Sequence, residues 1–184
     1  MMWFQNILNR MGKRNKGKGE AMASSEEASL KTLRIECEAS PVLRPYLKAG
    51  LGAFANNERK KIRVPSTSLL ECSVNLDEAA KASYPHENRW DYALGYSGQT
   101  YFIEIHPANT SEIDCVVKKV IFVKKWLGLV SPGLLDGSSS EFFYWVSSGT
   151  TDLRIMKNSP QGRRLALHKI VSVGQTWDYA KVSK

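Results

Sequence analysis

The clearest pattern in the chain is the alternation TYFIEIH over residues 100–106. In an extended strand, Phe102, Glu104 and His106 share one face, and Tyr101, Ile103 and Ile105 share the other. A carboxylate in so apolar a strand is costly to bury unless it is paired or holds a metal. Residues 90–96, WDYALGY, read as a second strand, and SGQ at 97–99 is a short turn with a glycine inside it, so the two strands form a hairpin. Pro107 stops the second strand. Thr110 or Ser111 is the expected cap of a following helix, with Asp114 three residues beyond Ser111, close to a capping box. Ile113, Val116, Val117, Val120, Ile121 and Leu127 mark its buried face, and Gly128 and Pro132 end it. Lys124, four residues after Val120, falls on that apolar face too, where a lysine runs its stem out to solvent.

The flanking segments are less regular. Residues 26–38 carry a helical pattern, and 41–54 predict a second helix with Pro41 near its first turn. A charged turn with Lys60, Lys61 and Arg63 follows, then an ambiguous stretch over 66–82. Residues 141–149 predict a well-buried strand whose aromatic residues suit the core better than stacking on bases. A strand fragment and a basic turn follow, then a last strand or short helix over 165–173 and a short tail. At the start, Trp3, Phe4, Ile7, Leu8 and Met11 recur at helical spacing, and a polar, glycine-rich linker follows them. The expected organisation is a basic tail over 1–25 and one α/β domain over 26–184, with a small mixed β-sheet flanked by helices.

Charge narrows the range of partners. The chain has 184 residues, 26 of them basic and 18 acidic, for a net charge of +8. Five bases against one acid in the first twenty residues put half of that excess on the tail. Such a balance suits nucleic acid or an anionic membrane surface. Cys37, Cys72 and Cys115 are odd in number and form no CxxC pair, which argues against a disulfide framework or a cysteine zinc site and suits a reducing, cytoplasmic setting. No apolar run approaches the roughly 20 residues that span a bilayer, and the opening residues make a poor secretory signal. P-loop, GxSxG and HExxH motifs are absent.

One constellation carries chemistry. Asp91 opens the first hairpin strand, Glu104 follows 13 positions later, His106 lies two beyond it, and the next helix bears Lys118, Lys119, Lys124 and Lys125. This order resembles the core of the PD-(D/E)XK nuclease superfamily over residues 41–149, with its specific part confined to 89–127. The resemblance implies a restriction-endonuclease-like core that cleaves DNA or RNA, with a place in restriction, repair or phage and mobile-element defence. It implies Mg2+ (or Mn2+) held by Asp91 and Glu104, with the Ile105 carbonyl as a third contact. The sequence departs from the family in two ways: no proline precedes Asp91, and His106 stands where the motif has lysine. Either His106 acts on the metal or the attacking water, or Lys118 or Lys119 reaches in from the helix.

A competing arrangement makes Glu104 and His106 ordinary polar residues of a half-exposed edge strand, paired with each other, with Arg89 or with helix lysines. The chain would then be a non-catalytic nucleic-acid-binding or protein-interaction subunit, since fold does not dictate activity. In a third arrangement the N-terminal helix docks on a membrane surface or a partner protein.

Overall fold

The computed structural model describes residues 33–136, 143–149 and 158–183, all within one unit that spans 31–184. The expected N-terminal helix and linker, the first part of the 26–38 helix and the strand fragment after residue 150 lie outside the described residues. Helix α1 is Leu33–Ala39, followed by strand β1 (Leu47–Ala49), helix α2 (Asn56–Arg59), strand β2 (Ile62–Arg63), strand β3 (Leu70–Asn75) and helix α3 (Leu76–Lys81). The hairpin strands are β4 (Tyr92–Tyr96) and β5 (Gln99–His106), and the long helix α4 is Ile113–Val130. Helix α5 (Gly133–Asp136), strand β6 (Phe143–Ser147), helix α6 (Pro160–Leu167), strand β7 (Ile170–Ser172), strand β8 (Trp177–Asp178) and helix α7 (Tyr179–Val182) complete the chain.

Six strands form one mixed sheet in the order β1-β3-β4-β5-β6-β7. The first three pairings are antiparallel, and β5–β6 and β6–β7 are parallel. Ser97 and Gly98, both at positive φ (52° and 74°), close the β4–β5 hairpin. Two successive positive φ values are the signature of a type I′ turn, whose twist matches the strands it joins. Parallel β5 and β6 require a crossover connection, and the chain between them carries α4 and α5.

The sheet buries both faces. On one, α1, α4 and α6 supply Leu33, Val116, Val117, Val120, Val123 and Leu165 to a core that also holds Phe102, Phe143 and Trp145. On the other, Tyr92, Leu94, Tyr96, Tyr101, Ile103, Ile105, Tyr144 and Val146 pack with Phe54, Ile62 and Trp177. Ile62 and Trp177 belong to a separate parallel pair, β2 with β8. Strand β5 thus lies inside the sheet and is buried from Thr100 to Ile105, so the half-exposed edge-strand arrangement does not hold.

Several local expectations change. Residues 41–54 form no helix: a 3-10 turn, Arg44–Tyr46, leads into β1, which pairs with β3. Pro45 inside that short turn interrupts the helical pattern. Neither Thr110 nor Ser111 caps α4; a 3-10 turn, Thr110–Glu112, winds into it without a side-chain cap. Ile121 is 52% exposed, and Val123 and Trp126 take the buried positions instead. Gly128 lies inside α4, which continues to Val130. Ser159 caps α6 by accepting a bond from the Gly162 N–H at 3.0 Å, with Pro160 at the first turn, so the expected basic turn is helical. Residues 174–183 are more than a tail, because they contribute β8 and the fully buried Trp177.

Candidate active site

The site forms where β4 begins, β5 ends and α4 passes over them. Asp91 sits one residue before β4, and its backbone carbonyl accepts the Leu76 N–H at 2.9 Å, which ties it to the start of α3. Arg89 fixes the approach. Its guanidinium donates to Asp77 Oδ1 at 2.8 Å and to the carbonyls of Tyr84 and Pro85. Arg89 therefore pairs with Asp77 rather than with Glu104 or His106.

Asp91 and Glu104 bond each other's strands. The Asp91 N–H donates to Glu104 Oε2 at 3.1 Å, and the Ile105 N–H donates to Asp91 Oδ2 at 2.9 Å. The Asp91 carboxylate thus takes a backbone donor of β5 just beyond the last β4 ladder position, Tyr92 opposite Ile103. Both carboxylates meet one ammonium. Lys119 Nζ lies 3.3 Å from Asp91 Oδ1 and also contacts Glu104 Oε1. Lys119 follows Val116 by three residues, at the margin of the buried stripe of α4, so its stem runs over the sheet to the carboxylates.

The electrostatics are strained. Glu104 has no solvent exposure. Burial first, and then repulsion from Asp91, push its carboxyl well above the usual range, and Lys119 only partly offsets this. Burial also raises the Asp91 carboxyl, against Lys119 and the Ile105 N–H, which lower it. Desolvation pulls Lys119 down, but the two carboxylates outweigh it, and the ammonium ends above its ordinary value. With all three groups charged, two carboxylates face one cation. Two carboxylates with one excess negative charge between them offer the oxygen donors a hard divalent ion takes, so Asp91 and Glu104 are the residues present that fit magnesium or manganese.

His106 lies on the Glu104 face, as the alternation requires, but it turns to the helix. Its Nε2 is 2.8 Å from Glu112 Oε2, and its Nδ1 is 3.8 Å from Glu104 Oε1. Cys115 stands nearby, with Sγ 3.5 Å from Asn88 Oδ1, and burial lifts its thiol. Glu112 and Cys115 are absent from the sequence-derived candidates. The signal was a histidine followed by an ExxC step at the helix start, legible only once β5 and α4 are known to meet.

The other lysines go elsewhere. Lys118 is exposed and faces a groove of about 310 Å3 with Tyr84, Ile121, Phe122, Trp126 and Leu129, away from the carboxylates. Lys125 lines the same groove. Lys124 places its Nζ over the Phe143 ring, 4.9 Å from the centroid, a cation–π contact in place of a free ammonium. Of the sequence candidates, the fold brings together Asp91, Glu104, Lys119 and His106, and sets Lys118 apart. Among the described residues, no helix is long and apolar enough to cross a membrane. Comparison of the whole chain with protein-family models, with curated proteins and with solved structures finds no match in any of the three.

Proposed function

We propose that the protein is a metal-dependent nuclease related to the PD-(D/E)XK superfamily. The observation that carries this reading is the convergence of Asp91, Glu104 and Lys119, two carboxylates and an ammonium from a hairpin and the helix behind it. Lys119 stands in for the strand lysine whose position His106 occupies. The element order supports the same reading: α1 precedes three strands that pair antiparallel, β3, β4 and β5, with α3 inserted between the first two, and α4 then leads to β6, parallel to β5.

Asp91 and Glu104 would hold magnesium or manganese. When bound, such an ion neutralises charge on the phosphodiester and acidifies an attacking water. Two of the three Lys119 donors are taken by the carboxylates, which leaves the third for a phosphate oxygen or that water. Water oxygen forms the new bond to phosphorus and gives up a proton, the ester P–O bond breaks, and the leaving oxygen takes up a proton. DNA or RNA is the substrate, and defence against phage or mobile elements is the proposed setting.

The test incubates the full chain with duplex DNA, single-stranded DNA and RNA, in magnesium, manganese or EDTA, beside Asp91→Ala and Glu104→Ala. Cation-dependent cleavage lost in both variants is the expected result. Folded native protein that neither cleaves nor melts higher with either cation would overturn it.

A second reading has its own observation. The α4 groove exposes Ile121 (52%) and Leu129 (71%) beside Phe122, which suits a non-catalytic subunit that binds a protein partner. That subunit would be indifferent to Asp91 and Glu104 in any binding assay.

A further inference from the structure

His106, Glu112 and Cys115 place an imidazole nitrogen, a carboxylate oxygen and a thiol sulfur within 4.8 Å of one another. His106 ends β5, while Glu112 and Cys115 lie three residues apart on the turn that enters α4. We propose that these three residues bind a zinc-class divalent cation at a site separate from the Asp91–Glu104 pair. This goes beyond the nuclease reading and does not depend on it.

Donor chemistry selects the ion. Magnesium takes oxygen ligands and keeps several waters, whereas thiolate with imidazole and carboxylate suits zinc and its first-row neighbours. Tetrahedral ligands held at about 2.0–2.3 Å stand about 3.3–3.8 Å from one another. His106 Nε2 and Glu112 Oε2 are 2.8 Å apart, and the 4.8 Å span of the whole set closes with small side-chain rotations. A thiolate and a carboxylate also neutralise a dication without residual charge.

A second observation concerns the far side of the ring. His106 Nδ1 faces Glu104 Oε1 at 3.8 Å, just beyond hydrogen-bond reach, and Glu104 is fully buried and accepts the Asp91 N–H. Metal-bound histidines usually turn their second nitrogen to a carboxylate, which fixes the tautomer and leaves the first nitrogen bare for the ion. Glu104 is the carboxylate on that side, and a small turn of the ring would bring Nδ1 within hydrogen-bond reach of it while Nε2 stays directed at the cluster. Three protein ligands leave the fourth position to water or to Asn88 Oδ1, which lies beside the Cys115 sulfur.

Cobalt(II) titration of the full chain tests this, because cobalt reports its ligands in its spectrum. Native protein should bind one cobalt per chain with a thiolate-to-cobalt charge-transfer band. Zinc should bleach the band, and a large excess of magnesium should leave it unchanged. Cys115→Ser, folded by circular dichroism, should lose the band. Glu112→Gln should weaken cobalt binding by about tenfold or more, while Asp91→Ala should retain the band. Absence of the band in native protein, or its persistence in Cys115→Ser, overturns the proposal. Absence of nuclease activity bears only on the earlier reading, since the readout needs no turnover.

Discussion

On one face of β5, Tyr101, Ile103 and Ile105 pack in a cluster with Trp177 and Tyr144; on the other, Phe102 shares its row with Glu104 and His106. The first face is sealed by aromatic contacts, such as Tyr101 with Trp177 at 5.0 Å between ring centroids. The second face is just as buried at Glu104, yet it encloses a carboxylate whose charge it does not fully compensate. One face gains stability from apolar area. The other holds charge in a low-dielectric setting, where an unpaired ion is costly and a bound cation or anionic phosphate interacts strongly. A buried ion-pair cluster is weak evidence for stability and better evidence for chemistry.

Substitutions on the two faces should separate these roles. The largest expected effect is on the sealed face: Trp177→Ala should destabilise the fold by about 3–5 kcal/mol, read by denaturant unfolding. The surviving folded fraction should keep its response to divalent cations. On the charged face, Lys119→Met should lower cleavage by about 10²–10⁴-fold while cation binding persists. Retention of full activity would remove Lys119 from the chemistry and weaken the contrast.

Glu104→Gln gives a smaller effect of unusual sign. Burial holds the Glu104 carboxyl above its value in the unfolded chain, so the native state keeps that proton to higher pH. The associated stability is full below the unfolded value and is lost as pH rises through the folded one. Glu104→Gln should therefore melt higher than native protein at neutral pH, by about 0.5–2 kcal/mol. Native protein should also lose stability more steeply than the variant as pH rises from the ordinary carboxylate range. A variant that melts lower at neutral pH would make the cluster a structural ion pair. The smallest effect belongs to the exposed α4 groove, where Ile121→Lys should change stability by no more than about 0.5 kcal/mol and leave cleavage intact. Loss of cleavage there would extend the functional face across the helix.

The sequence by itself determined the hairpin and its faces. Alternation over residues 100–106 requires Glu104 and His106 to lie together, and the Ser97–Gly98 turn sets the pairing of β4 with β5. The apolar spacing of Val116, Val117 and Val120 likewise fixes which side of α4 meets the sheet. These are local properties, set by backbone geometry within a few residues. Tertiary structure decided what local pattern leaves open. It chose Lys119 over Lys118, because adjacent helix positions differ by about 100° and only the sheet's position says which one reaches the carboxylates. It put the short strand Leu47–Ala49, paired with β3, inside the helix expected over residues 41–54. It brought Trp177 from the chain's end into the core and Cys115 beside His106, across sequence separations over which no periodicity carries information.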